Sequence, residues 1–203
     1  MSAFPSVPQS SSSASLVSIS VCDNCLLMNI LAIETCFGKF SVAVFQQGKL
    51  AAHFASDEEN KQAEKLIPAI EQILAETNLT YPQLDKIAVG IGPGSFTGIR
   101  IGLAAAKGIA LALNKPLIGV STLDAAAVKK GSYPVYLNAS RAEAFSKENA
   151  AAEAVLIPYD GEYDQPPTAV EVGQIALSPN AQNLTPEPLY VRQPDAKLPV
   201  RNS

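Results

Sequence analysis

The sequence predicts an α/β protein built on a mixed sheet, and three observations carry that prediction. Three β-rich segments follow one another at residues 30–34, 40–46 and 49–55, the last two joined by a turn at Gln47-Gly48. An apolar run at 86–91 then enters Gly92-Pro93-Gly94-Ser95 and an almost uncharged segment at 99–113. That is the pattern of a buried strand, a sharp turn and a buried helix. A further strand, Leu117-Ile118-Gly119-Val120, and a helical segment at 121–130 repeat the alternation.

The first 20 residues are serine-rich, with two prolines and no charge, a composition that cannot supply a core. Residues 1–27 are therefore expected to be a disordered extension. No Lys or Arg precedes Lys39, which argues against a secretory signal and a transit peptide. After the three strands, Ser56-Asp57-Glu58-Glu59 has the spacing of a capping box. It predicts a helix to about Thr77, with Ala63, Leu66, Ile67, Ile70, Ile73 and Leu74 facing inward. Pro68 removes one hydrogen bond from that helix and is expected to bend it.

The turn at 92–95 opens the central helix, and either Ser95 or Thr97 can cap it. The Lys of a Walker A loop is missing, and the third glycine is one place late for a dinucleotide fingerprint. On the residues alone a structural turn is favoured over a phosphate cradle. Between 99 and 113 only Arg100 and Lys107 are charged; seven apart, they share one face. Gly98, Gly102 and Ala106 form a row at i, i+4 and i+8. A glycine inside a helix costs about 1 kcal/mol against alanine, so two at this spacing suggest a close approach. Either this chain's own sheet or the helix of a second subunit can make that approach, and the second is the expectation tested below.

Beyond residue 131 the pattern is weaker. Residues 135–138 and 155–158 read as strands, and no long amphipathic helix is visible. The 203 residues are 47% hydrophobic and 17% charged, an ordinary globular balance. The net charge is −4, and no basic run marks a chain that grips nucleic acid alone. Lys129-Lys130, the densest basic pair, reads as a solvated helix end. No apolar run reaches membrane-span length. Cys22, Cys25 and Cys36 with the single His53 make no convincing zinc set. Free thiols in a reducing cytoplasm are expected.

The string Gly92-Pro93-Gly94-Ser95-Phe96-Thr97-Gly98-Ile99-Arg100 closely resembles the bacterial TsaB family, also called YeaZ. So do Leu31-Ala32-Ile33-Glu34-Thr35, Glu64-Lys65-Leu66-Ile67-Pro68-Ala69-Ile70 and Leu117-Ile118-Gly119-Val120-Ser121-Thr122-Leu123. The resemblance runs from about residue 28 to 123, with a faint echo at Pro188-Leu189-Tyr190-Val191-Arg192. It implies an actin-like or Hsp70-like (RNase H-like) domain at 28–131 and a second, shortened RNase H-like half at 132–203. That half usually opens with Asp-Ala-Arg-x-x-Glu-x-Tyr. Here Asn138-Ala139-Ser140-Arg141-Ala142-Glu143-Ala144-Phe145 replaces the acid by an amide and shifts the spacing by one.

The resemblance also implies a function. Family members are non-catalytic dimerisation or scaffold subunits that support TsaD, with TsaE, in placing threonylcarbamoyl on the adenosine beside the tRNA anticodon. It implies a cytoplasmic chain with no membrane contact, tRNA bound only through the complex, and homodimers as a second association. ATP and metal are expected only through partner subunits, with no cofactor, metal site or catalytic residue here. The partner interface is expected at Leu66, Ile70, Gly98, Arg100, Gly102 and Ala106. A vestigial nucleotide site is expected at Glu34, Thr35, Gly92, Gly94, Ser95 and Thr97. The His-x-x-x-His metal pair of TsaD falls on Gln62 and Leu66, a poor ligand and none. Two alternatives compete with this reading. An actin-like ATPase or small-molecule kinase needs a second phosphate loop, and none is visible after residue 133. A glycoprotease-like metallopeptidase needs a histidine cluster, which one histidine cannot supply.

Overall fold

Strand β1 (Ile30–Phe37) is apolar on both faces because both are covered. In the computed structural model, which describes residues 27–140, 142–178 and 184–191, it is the centre of a five-stranded sheet. β2 (Lys39–Gln46) pairs antiparallel with β1 and with β3 (Lys49–Ala55). β4 (Lys86–Gly90) and β5 (Leu117–Val120) extend the sheet in parallel on the other side. The order is β3-β2-β1-β4-β5. Successive side chains of a strand point to opposite faces, so β1 serves two cores. Leu31 and Ile33 join Val42, Val44, Ile87 and Val89 under α1 (Gln62–Glu76) and α2 (Phe96–Leu113). Ile30 and Ala32 join Ala43, Phe45 and Ala88 under α4 (Ala169–Leu177).

Helix α3 (Thr122–Lys130) carries the chain from this sheet to a second, antiparallel one of β6 (Val135–Ser140), β7 (Glu143–Lys147) and β8 (Val155–Pro158). Leu123, Ala126 and Ala127 of α3 pack on Val135, Leu137 and Phe145. Lys147 Nζ, almost fully buried, donates to Asp124 Oδ1 at 2.6 Å and ties β7 to the first turn of α3.

Several expectations are corrected. Ser56 does not cap α1: its hydroxyl accepts from Glu58 N–H at 3.2 Å and closes a local turn. The helix starts at Gln62, after Asn60 at a left-handed φ of 57°. Ala63 and Ile67 face outward rather than inward. Strand β7 and helix α4 were missed. β7 has five residues with charges at both ends. α4 has nine, with Gly173 in its middle; its capping box, Thr168 with Glu171, is the signal that could have found it. Gly173 is there for proximity, since a Cβ would overlap the Phe45 ring.

Residues 188–191 form no strand. Leu189 N–H donates to Ile91 O at 2.8 Å, and Leu184 makes a single bridge to Gly119. By length and composition alone α2 is long and apolar enough to cross a membrane, contrary to expectation. Its Ile99, Leu103, Ala106 and Ala110 pack on the sheet. The extension at 1–26, with Cys22 and Cys25, and residues Arg141 and Arg192 lie outside the described residues.

Candidate functional site

The small-residue row of α2 meets this chain's own strand. Ser95 caps the helix, accepting from Gly98 N–H at 3.2 Å, and its own N–H donates to Cys36 O at 2.6 Å. Thr35 Oγ1 donates to Gly98 O at 2.8 Å. A Cβ on Gly98 would overlap the Thr35 carbonyl oxygen, and one on Gly102 would overlap Thr35 Oγ1. Ala106, Leu66 and Ile70 lie in the same core. The expected partner seam at Leu66, Ile70, Gly98, Gly102 and Ala106 is therefore corrected: all five are buried in this chain's own core, with Thr35 of β1 against the two glycines. Of that set only Arg100 points to solvent.

The opposite face of α2 is open. Phe96, Arg100, Ala104, Lys107, Gly108 and Leu111 are all exposed, Leu111 by 84%. Ala104, Gly108 and Ala112 repeat the i, i+4, i+8 small-residue row on this outer side, and a Cβ on Gly108 would meet nothing within 4 Å. At its N-terminal end the Arg100 guanidinium lies 3.7 Å from the centre of the Phe96 ring. Arg100 Nε donates to Tyr190 OH at 3.0 Å, and Tyr190 stacks on Phe96 with ring centres 5.2 Å apart. Lys107 makes no ion pair among the described residues. Ile67 adds an exposed branched side chain from α1, which packs beside α2. Sequence reasoning missed this face although it held the signal. Arg100 and Lys107 mark the outward side of the helix, so Ala104, Gly108 and Leu111, spaced between and beyond them, point outward too.

The expected nucleotide set is split. Gly92 and Pro93 are buried, and Gly94 has no room for a Cβ beside Cys36. With Ser95 used as a cap, this turn fastens α2 to β1. Glu34 instead lines a separate cavity of about 210 Å³ with Phe37, Lys39, Phe40 and Ser41, and with none of Gly92, Gly94, Ser95 or Thr97. Gly90 leaves the space its carboxylate fills. Oε1 accepts from Cys36 N–H at 2.6 Å, whereas Oε2 makes no hydrogen bond among the described residues. Burial pushes the Glu34 carboxyl above its ordinary range, against the lowering effect of the Cys36 hydrogen bonds. Burial and the neighbouring Glu34 charge push the Cys36 thiol well up, so it is held as a thiol. Gln62, on the expected metal-pair position, donates from Nε2 to Gly38 O at 2.7 Å.

The relatives of this chain agree with this fold. An uncharacterised protein of Mycobacterium tuberculosis (strain H37Rv) is 30% identical over 200 residues, covering 84% of this chain and 95% of that protein. The tRNA threonylcarbamoyladenosine biosynthesis protein TsaB of Escherichia coli K12 is 41% identical over 96 residues, 47% of this chain and 41% of that protein. The chain belongs to the TsaB/YeaZ family. It spans less than half the length of the curated TsaB proteins it matches. Residues 56–141 match the family model described as TsaD, tRNA N6-adenosine threonylcarbamoyltransferase. The solved YeaZ of Pseudomonas aeruginosa superposes with a TM-score of 0.63 at 22% identity, over 80% of this chain and 99% of that one. An actin-like, RNase H-like fold is thereby established, as the resemblance to TsaB/YeaZ implied.

Proposed function

We propose that this chain is a non-catalytic docking subunit in the formation of threonylcarbamoyladenosine on tRNA, and that the outward face of α2 is what it docks with. The partner is a TsaD-type transferase, with TsaE as a third component; tRNA is met only through the complex, in the cytoplasm. The reading rests on one observation: an 18-residue apolar helix exposes Phe96, Ala104, Gly108 and Leu111 in one stripe, next to Arg100. Aromatic residues and Arg dominate the energetics of protein interfaces, and small residues let a second helix approach. The chemistry of the chain fits a supporting role. Glu34 lies in the core, Gln62 is spent on Gly38, and the glycine turn is closed by Cys36. The docked subunit acts by shifting its partner's population toward the competent state.

Two measurements test this. Threonylcarbamoyl transfer to tRNA is assayed with the purified chain alone and again with the TsaD and TsaE proteins of its host. No product is expected from the chain alone, and a rise in rate is expected when it joins the partners. Chelator-sensitive product from the chain alone overturns the non-catalytic reading. Co-elution with TsaD is then measured for Leu111→Asp. Loss of co-elution with a normal melt is the expected result, and unchanged co-elution rejects α2 as the docking face.

A further inference from the structure

Helix α2 carries two cations on its outward face and no acid. Arg100 and Lys107 are both exposed, and neither makes an ion pair among the described residues. At the start of neighbouring α1 the charges pair among themselves, Lys61 with Glu64 and Lys65 with Glu58. Arg100 is also held in place. Its guanidinium carbon lies 3.7 Å from the centre of the Phe96 ring, and its Nε donates to Tyr190 OH at 3.0 Å. Tyr190 is fixed in turn, stacked on Phe96 and preceded by Leu189, whose N–H donates to Ile91 O at 2.8 Å. Of the guanidinium N–H donors only the one on Nε is used among the described residues; both Nη groups are left over.

A guanidinium laid on an aromatic ring and tied at Nε is set to give two parallel bonds to one anion. Its side-chain freedom is already spent, so binding loses less entropy. Carboxylate and phosphate both suit such a fork, and the surface between the two cations decides between them. Ala104 and Gly108 lie there, with Leu111 just beyond Lys107, all exposed. A nucleic-acid backbone would set its charges against that apolar stretch, on a chain whose net charge is −4. A helix instead buries it, and small side chains at the contact let two helix axes come close. Arg100 and Lys107 are about two turns apart, roughly 10 Å along the axis. On a helix packed alongside, acids about seven residues apart also share one face. We propose that Arg100 and Lys107 grip two carboxylates at that spacing on one helix of the docked subunit, with Arg100 as the anchor. The inference rests on the docking reading of α2 and adds what docks there, a helix with an acidic stripe. Phe96 and Tyr190, 42% and 41% exposed, supply ring surface for that helix to cover.

The test is calorimetric titration of the full chain with the TsaD protein of its host, without tRNA, at about 50 and about 500 mM salt. Arg100→Met keeps the stem and removes the charge, and it is expected to weaken binding at least roughly tenfold at low salt. Arg100→Lys restores the charge without the fork and is expected to bind more weakly than the parent chain. Lys107→Met is expected to cost about threefold, as a single exposed pair does. Affinity of the parent chain should fall with salt, and that of Arg100→Met far less. Neutralising one acidic residue of TsaD should then weaken the parent chain and leave Arg100→Met unchanged. Thermal melts check that each variant is folded. A folded Arg100→Met that binds as the parent does, or with the same salt dependence, overturns the inference. So does tRNA alone binding the chain through Arg100, which would assign the fork to phosphate. If Leu111→Asp abolishes binding while Arg100→Met does not, the anchor falls and the docking reading stands; if the parent chain does not bind TsaD, both fall.

Discussion

Gly102 and Gly108 sit on one helix six residues apart, and a methyl group separates their fates. At Gly102 a Cβ collides with Thr35 Oγ1; at Gly108 it meets open space. Gly102→Leu therefore overpacks the seam between α2 and β1, at a cost of roughly 1–3 kcal/mol or more, and a thermal melt of the isolated chain should fall by several degrees. Gly108→Ala removes only backbone freedom and should raise stability by up to about 1 kcal/mol. A melt lowered equally by both changes would contradict the packing described. Glu34 gives a pH-dependent case. Its folded pKa is raised above the ordinary 4.5 by burial, so the folded state holds the proton more tightly than the unfolded state. That contribution is complete below the unfolded value and is lost as pH rises through the folded one. Glu34→Gln, which carries no charge at any pH, should thus gain stability relative to the parent chain as pH rises from about 4 toward 8. Chemical denaturation at the two pH values measures the difference, and a Glu34→Gln variant that loses stability relative to the parent chain as pH rises would contradict burial of the acid.

Helix α2 is an element with two tasks, and its two small-residue rows divide them. Gly98, Gly102 and Ala106 bring it down onto β1, while Ala104, Gly108 and Ala112 leave its other side smooth and open. Leu111→Asp should change stability by less than about 0.5 kcal/mol, because the side chain is already 84% in solvent. Any effect on partner co-elution then belongs to docking, not to folding. The clasp of Arg100 between Phe96 and Tyr190 links the tail segment 184–191 to this same face. Tyr190→Ala should free Arg100 and loosen the tail, detectable as faster amide exchange at Leu189 and at Gly119, whose N–H donates to Leu184 O. Unchanged protection at both would show that the main-chain bonds hold the tail by themselves.

At the scale of the molecule, the first sheet is completed from the far end of the chain. Helix α4, from the part expected to form a second half, covers Ile30, Ala32, Ala43, Phe45 and Ala88 of the first. Ending the chain after residue 158 should expose that face. With roughly 1.5–3 kcal/mol lost for each large apolar side chain uncovered, no cooperative melt is expected. A truncated chain that melts as the whole does would mean α4 is dispensable. The sequence by itself determined the order of strands and helices through residue 130, because each has a strong local signal: alternation, a turn dipeptide, a Ser cap, an apolar period. It also carried the family motif. It marked the outward side of α2 with Arg100 and Lys107 but did not determine what meets the inner row of Gly98, Gly102 and Ala106, which the position of Thr35 on this chain's own β1 decides. Nor did it show β7, α4 or the separation of Glu34 from the glycine turn. β7 and α4 are too short to carry a clear period, while the seat of α4 against Phe45 and of Gly98 against Thr35 joins residues more than fifty positions apart, a distance that leaves no local pattern to read.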